Sequence, residues 1–342
     1  MREADTRMPP KTLVTYVLSE EDNEALDAVI HDIMRAGHDP RSGALYDLAW
    51  RYLAGVPAGL REALSGFRNA ETGSAFAIRG FRLDPEGIEP TPASWAEPDS
   101  LRREELFFAL TGMCLGEVYG WSTIQNGSLI QNVLPLPGVE NEQSGHSSDV
   151  LLGWHTEDAF HPYRCDYVGL LGIRNLDRVP TTVASIRDIE LSEDAKKILS
   201  EPRYVIYPDT EHLGQTPDDG AHFGLSEIQK LRDNPEPVAV LFGHPDEPYL
   251  RLDPFYMTTF GTDPEAEEAL KEICEKLMIS EYDVVLEPGD IVYVDNFTAV
   301  HGRRPFRARY DGRDRWLKKL TVTRNLRPSR GLRRSSACRV IG

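Results

Sequence analysis

The residue types and spacing best suited to chemistry lie in Trp154-His155-Thr156-Glu157-Asp158. On an extended chain residues i and i+2 share a face, so His155 and Glu157 offer one imidazole nitrogen and one carboxylate oxygen together. The sequence supplies a third donor in His301, placed just beyond the predicted strand Ile291–Val294 in the run DNFTAVHG. Two histidines and one carboxylate are the facial set of non-haem iron(II) oxygenases, which leaves coordination positions open; closed structural zinc uses four protein ligands. Arg315 follows His301 after Tyr310-Asp311-Gly312-Arg313, whose composition predicts a hairpin turn that brings the arginine back to the cavity. A 2-oxoglutarate held at iron needs a planar, permanently charged partner for its distal carboxylate, and only arginine provides one. Taken singly, each feature has an ordinary reading. An HxE pair fits a surface strand, His301 a loop histidine bonded to backbone, and Arg315 a solvated arginine among basic neighbours.

Positioning such a set requires a rigid scaffold, and the sequence predicts one. After residue 118, short β-rich runs alternate with Gly/Pro turns: Leu129–Leu134, Asp166–Ile173, Thr181–Ile186, Pro237–Phe242, Asp283–Leu286, Ile291–Val294 and Trp316–Thr323. Many short strands with this punctuation predict a sandwich or barrel. Residues 13–117 read as helical, apart from a strand at Ala75–Arg79. One helix starts at a capping box at Ser19 and closes at Gly37; others cover 43–54, begin near 58, and run over 101–117 with Ser100 as cap. Another helix over 263–281 starts after Asp263-Pro264. The stretch 84–99 reads as a surface loop, and 207–221 (YPDTEHLGQTPDDGA) as a lid. The expected organisation is a single domain over 1–342, with a helical part at about 13–117 and a β core at about 118–330.

Composition narrows the function. The 342 residues are 40% hydrophobic and carry a formal charge of −17, which disfavours nucleic acid as a partner. The charge is uneven: residues 301–342 hold fourteen Lys/Arg against two acids, so local anion binding stays open. No run of 18 apolar residues exists and MREADTRMPPKTL lacks a leader's apolar centre, so no membrane span and a cytoplasmic location are expected. Four scattered cysteines with no CxxC fit reduced thiols.

With these residues assembled, the chain resembles the clavaminate-synthase-like iron(II)/2-oxoglutarate oxygenases of amino acids, above all the arginine hydroxylases of viomycin and streptothricin biosynthesis. The likeness is carried over about 105–330 by Gly120-Trp121, Val133-Leu134-Pro135, residues 153–160 (GWHTEDAF), Pro162-Tyr163-Arg164, Asp166-Tyr167, Arg174-Asn175, Thr181-Thr182, His212-Leu213, Leu250–Asp253, His301-Gly302-Arg303, Arg309-Tyr310-Asp311-Gly312 and Trp316-Leu317-Lys318. It implies a double-stranded β-helix (jelly roll) core with flanking helices, and Fe(II) held by His155, Glu157 and His301. It also implies 2-oxoglutarate held by Arg315 and Thr182, with dioxygen as second cosubstrate. On the substrate side it implies Asp253 as the acid that receives a guanidinium and Asp209 with Glu211 beside it on the lid; the substrate ammonium is left to Glu157 or Gln125.

Three positions depart from the arginine-hydroxylase pattern. Ile124 stands where the family has a glutamine, with Gln125 following; Lys319 stands where it has an arginine near the substrate carboxylate; Phe255 stands where one member has a second aspartate. The implied activity is oxidation of an unactivated C–H of free L-arginine or a close guanidino amino acid, by hydroxylation at C3 or C4 or by desaturation, in antibiotic biosynthesis. Citrulline, enduracididine or asparagine as substrate, a metal-dependent hydrolase and a non-catalytic β-helix binding module are the competing readings. The sequence leaves the oligomeric state open.

Overall fold

A computed structural model describes residues 12–83, 87–213 and 222–342. Its strands, numbered along the chain, form two main sheets. The larger contains β1 (Leu13–Val17), β2 (Ala75–Arg79), β3 (Glu117–Trp121), β4 (Gln131–Val133), β6 (Tyr167–Arg174), β13 (Ile291–Asp295), β15 (Trp316–Thr323) and β16 (Val340–Ile341). Its order is β1-β2-β13-β6-β15-β3-β16, with β4 also on β15. The smaller contains β5 (Leu152–His155), β7 (Thr181–Ser185), β12 (Tyr282–Val284) and β14 (Ala299–Arg303), in the order β12-β7-β14-β5. Two pairs stand apart: β8 (Tyr204–Ile206) with β11 (Met257–Thr259), and β9 (Leu241–Gly243) with β10 (Pro248–Leu250).

The strands are amphipathic by alternation, and the alternation builds the layers. On β6, Val168 and Leu170 face Val183, Val284 and Ala299 of the smaller sheet, forming the interior between the sheets. Tyr167, Leu171 and Ile173 on the same strand face a helical layer. That layer comprises α1 (Glu20–Arg35), α2 (Gly43–Tyr46), α3 (Ala49–Tyr52), α4 (Ala58–Asn69) and α5 (Arg102–Leu115). A second apolar cluster joins α6 (Glu193–Leu199) and α9 (Pro264–Ser280) to the other side of the smaller sheet. Two more helices, α7 (Thr210–Leu213) and α8 (His222–Asp233), follow β8. The architecture is the expected double-stranded β-helix with helices around it. Among the described residues no helix is long and apolar enough to cross a membrane.

Local chemistry explains the agreements. Ser19 and Asp22 form a reciprocal capping box, each side chain accepting from the other residue's backbone N–H. Gly37, at φ 79°, ends α1. Asp263 caps α9 through Ala266 N. The structure also corrects several expectations. The helix over 43–54 is broken into α2, α3 and a 3-10 turn at Leu53–Gly55. Ser100 does not cap α5: Leu101 holds that position and no side chain caps it. Of Pro237–Phe242 only the end enters β9. The turn at Tyr310–Arg313 forms, but it is not a hairpin, because β14 and β15 belong to different sheets. The helical N-terminal part contributes β1 and β2 to the large sheet, and the chain past 330 contributes β16. Of the expected lid, residues 214–221 lie outside the described residues.

Strand β15 is the hinge between scaffold and cleft. Leu317 and Lys319 face the cleft, together with Arg315 just before the strand. Trp316 and Lys318 face away. Lys318 is fully buried, and its Nζ lies 2.7 Å from Asp99 Oδ2 and 2.8 Å from Glu105 Oε1. Arg41 pairs with the same two acids. Asp99, at the end of the expected surface loop 84–99, is thus pinned inside; against burial, Lys318 and Arg41 hold its carboxyl below the usual range. Breaking a buried ion pair strands its partner's charge, at about 3–5 kcal/mol. Lys318→Met should lose about that much stability in urea unfolding, and a loss under ~1 kcal/mol would show that Arg41 alone satisfies both acids.

Candidate metal centre

The three predicted donors converge. His301 lies past β13 as expected, but inside a further strand, β14, and pairs across the sheet with His155, the last residue of β5. His301 Nε2 is 3.3 Å and His155 Nε2 3.8 Å from Glu157 Oε2. One donor atom from each of the three falls within 4.8 Å of the others. His155 Nδ1 lies 3.0 Å from the Gly153 carbonyl; donation there leaves Nε2 as the free lone pair. Two imidazole nitrogens and one carboxylate oxygen on one face fit a six-coordinate transition metal with open positions. Burial opposes charge on His155, yet Glu157 pulls the imidazole up to about 9, so a metal binding here displaces a proton.

Glu157 itself is outside regular strand, so the i, i+2 argument does not position it. Its backbone does. Asn296 accepts from Glu157 N (2.6 Å) and donates to Glu157 O (3.0 Å). Thr156 N donates to Leu252 O. Asp158 has a φ of 52°, a left-handed conformation that an aspartate holds when its side chain is tied. Trp121 Nε1 donates to one Asp158 oxygen (2.6 Å), and His212 Nε2 lies 3.0 Å from the other. His212 Nδ1 is 2.7 Å from Thr123 Oγ1, and its backbone N–H donates to Asp209. The turn after the strand is therefore locked by β3, by the segment after β13 and by α7. Spacing carries no signal for Asn296 or Asp158, whose partners lie 139 and 37 positions away in the chain.

The remaining predicted residues divide. Gln125, Asp209, Glu211, Asp253, Phe255, Arg315 and Lys319 all line one cleft with the triad. Ile124 does not: it is buried in the interior between the sheets. Gln125, not Ile124, turns into the cleft, because Gln125, Asn126 and Gly127 all have positive φ (43°, 56° and 79°) and reverse the chain. The Gln125 amide is held on both ends by the Asn132 main chain. Thr182 is also displaced. Arg315 Nη2 donates to Thr181 Oγ1 (3.1 Å), and Thr181 lines the cleft. Thr182 pairs with Gly302, one step out of phase with the Arg303–Thr181 pair, so the face rule for strands excludes it from contact with Arg315. Lys319 meets Glu157 Oε1 at 2.6 Å. Burial favours its neutral form, but Glu157, Glu211 and Asp158 outweigh burial and keep the ammonium charged.

The cleft is charged oppositely at its two ends. Burial lowers the Arg315 guanidinium to about 9, with Arg303 adding to the effect. At the other end, burial raises Asp209 to about 6 and raises Asp253. Among the described residues neither aspartate forms an ion pair with lysine or arginine.

A family model described as taurine catabolism dioxygenase TauD, TfdA family matches residues 107–321. An enduracididine beta-hydroxylase of Streptomyces hygroscopicus is 40% identical over 342 residues, covering 96% of this chain and 100% of that protein. An L-ornithine/L-arginine 3-hydroxylase of Catenulispora acidiphila is 39% identical, covering 95% and 98%. The crystal structure of the non-heme iron oxygenase OrfP with Fe, succinate and (3S)-hydroxy-L-Arg superposes with a TM-score of 0.89 at 38% identity, covering 96% and 99%. OrfP with Fe and alpha-ketoglutaric acid superposes at 0.85 and 37% identity, covering 96% and 100%.

The Asn296 clamp yields a test. Residues that orient metal ligands are typically worth about 10–100-fold in metal affinity. Asn296→Ala should weaken Co(II) binding, followed by its visible absorption, by about that factor while the far-ultraviolet dichroism is retained. Unchanged affinity would mean that the strands alone fix Glu157.

Proposed function

The chain belongs to the TauD/TfdA dioxygenase family, and from that premise we propose that it is an iron(II)/2-oxoglutarate-dependent hydroxylase of free L-arginine or a close guanidino amino acid. The observation that carries this reading is the two-ended cleft around the triad. A buried guanidinium, Arg315, lies at one end and two half-buried carboxylates, Asp209 and Asp253, lie at the other; among the described residues Arg315 pairs with no acid and neither aspartate pairs with a lysine or arginine. An unpaired buried charge is costly, so each end calls for a ligand of opposite sign. A dicarboxylate suits the first end and a guanidinium the second.

His155, Glu157 and His301 would hold the iron. Bound there with 2-oxoglutarate and dioxygen, iron(II) supplies the oxidant that replaces an unactivated C–H by C–OH. The protein's own residues do the rest by placement. Arg315, with Thr181 beside it, receives the distal carboxylate of 2-oxoglutarate in a bidentate pair. Asp253, its Oδ1 already accepting from Phe255 N and Tyr256 N, turns its remaining acceptor capacity to the guanidinium. Asp209, at the start of α7, adds a second carboxylate. Glu211 is fixed by accepting from Gly145 N (2.9 Å). Gln125 Oε1 retains a lone pair for the substrate ammonium. Phe255, 63% exposed, forms the rim over the side chain. With Ile124 in the core, Lys319 is the one departure at the α-end of the substrate. There it has a second duty, neutralising the Glu157 oxygen that the metal does not use.

Anaerobic addition of 2-oxoglutarate to the iron(II)-loaded protein should give a weak visible charge-transfer band that sharpens on adding L-arginine. Succinate release across a panel of amino acids then tests the substrate. Arginine and near guanidino relatives should lead; preference for asparagine or another neutral amino acid would refute the assignment. Asp253→Ala should lower turnover of arginine by about 10–100-fold, the loss of one charge-assisted hydrogen bond worth about 1.5–3 kcal/mol. Citrulline, whose side chain is neutral, should change far less.

A further inference from the structure

A second arginine lies near the first. Arg303 follows the metal ligand His301 by two positions on β14 and shares its face. It is 3% exposed and lines the same cleft as Arg315. Arg303 pairs across the sheet with Thr181, the residue whose hydroxyl accepts from Arg315. The three therefore form one contiguous group, Arg315–Thr181–Arg303.

The guanidinium of Arg303 is held by a loop of neutral groups. Its two terminal nitrogens donate to Ser147 Oγ (2.9 Å), Ser148 O (3.2 Å) and Val150 O (3.2 Å), all neutral acceptors. Its Nε, like that of Arg315, is buried without a hydrogen-bond partner. No carboxylate among the described residues pairs with either arginine. Two buried cations side by side repel each other in a medium of low dielectric, where a charge is felt over several ångströms. Nearby acids balance every other buried cation discussed here: Lys318 has Asp99 and Glu105, and Lys319 has Glu157. Among the described residues Arg303 and Arg315 have no such acid, and, lining the cleft, they lie where an anionic ligand can neutralise them.

We propose that Arg303 is a specificity-determining residue for the cosubstrate: a fixed positive charge, held by the 147–150 loop behind Arg315, that selects a 2-oxo acid with a distal carboxylate over one without. This rests on the assignment of Arg315 to that carboxylate. Arg303 acts on the ligand mainly through its charge, since three of its five N–H groups are taken by the loop. It raises the cost of the empty site, and the incoming anion removes that cost. Arg315 supplies the direct, bidentate contact; Arg303 supplies field.

The test separates charge from loop pinning. Binding of 2-oxoglutarate and of 2-oxopentanoate, which has a methyl group in place of the distal carboxylate, is measured by calorimetry on zinc-loaded protein. The wild-type chain and the variants Arg303→Gln, Arg303→Lys and Arg315→Lys are compared. Arg303→Gln should weaken 2-oxoglutarate binding about tenfold and change 2-oxopentanoate binding less than about twofold. Arg303→Lys, which keeps the charge but loses the fork that pins the loop, should retain most of the discrimination. Equal weakening of both ligands by Arg303→Gln, or equal loss with glutamine and lysine, would show that the arginine only braces the loop and would overturn the proposal. Arg315→Lys should weaken 2-oxoglutarate more strongly than either Arg303 variant. If it leaves 2-oxoglutarate binding intact while Arg303→Gln does not, the Arg315 assignment fails and Arg303 stands as the anion's partner.

Discussion

Glu157 is the point on which the rest depends. Its carboxylate must stand between two imidazoles at the end of a strand that has already stopped at His155. A carboxylate buried there is unfavourable unless cations and donors surround it. Lys319 from the large sheet answers one oxygen, and the two histidines of the small sheet answer the other. The backbone beneath is held by Asn296, and the next residue by Trp121 and His212. Both sheets and the segment after β8 thus meet at one turn, so the metal face exists only in the folded molecule.

That arrangement makes β15 do two opposite jobs at once. Of the residues facing outward, Trp316 ties the strand to β4 through Asn132 and Lys318 ties it to the helical layer through Asp99 and Glu105. Residues facing inward, Leu317 and Lys319, reach the cleft with Arg315. Adjacent lysines therefore have unlike roles: Lys318 closes a structural ion network and Lys319 closes the electrostatics of the metal ligand. Because a strand's faces alternate strictly, a slip of one residue would exchange the two lysines and disable both functions. The buried network against α5 is the physical reason such a slip is resisted.

The cleft's charge pattern has the same origin. Its cationic end is built from β14, β7 and the residue before β15, all inside the barrel. Its acidic end is built from residues after β8 and β10, at the mouth. The rigid end is assigned to the cosubstrate and the mouth to the amino acid, which suits a site where one ligand is constant and the other confers selectivity.

The sequence by itself determined which residue types could bind metal and anion, and where the long strands run. HxE, His301 and Arg315 were legible because their chemistry is restrictive, and Trp316–Thr323 and Ile291–Val294 because branched and aromatic residues at period two have few other uses. The capping box at Ser19 and the Asp263 cap were legible because they act over three residues. Tertiary structure decided what depends on distant partners. It chose Gln125 over Ile124 through three successive left-handed residues, and Thr181 over Thr182 through the phase of β7 against β14. It placed Glu157 through Asn296 rather than through strand periodicity. It set Arg303 beside Arg315, with no acid among the described residues paired to either. Apart from the Asn126-Gly127 turn signal beside Gln125, none of these has a local signature, because each is set by which face of one strand meets which face of another.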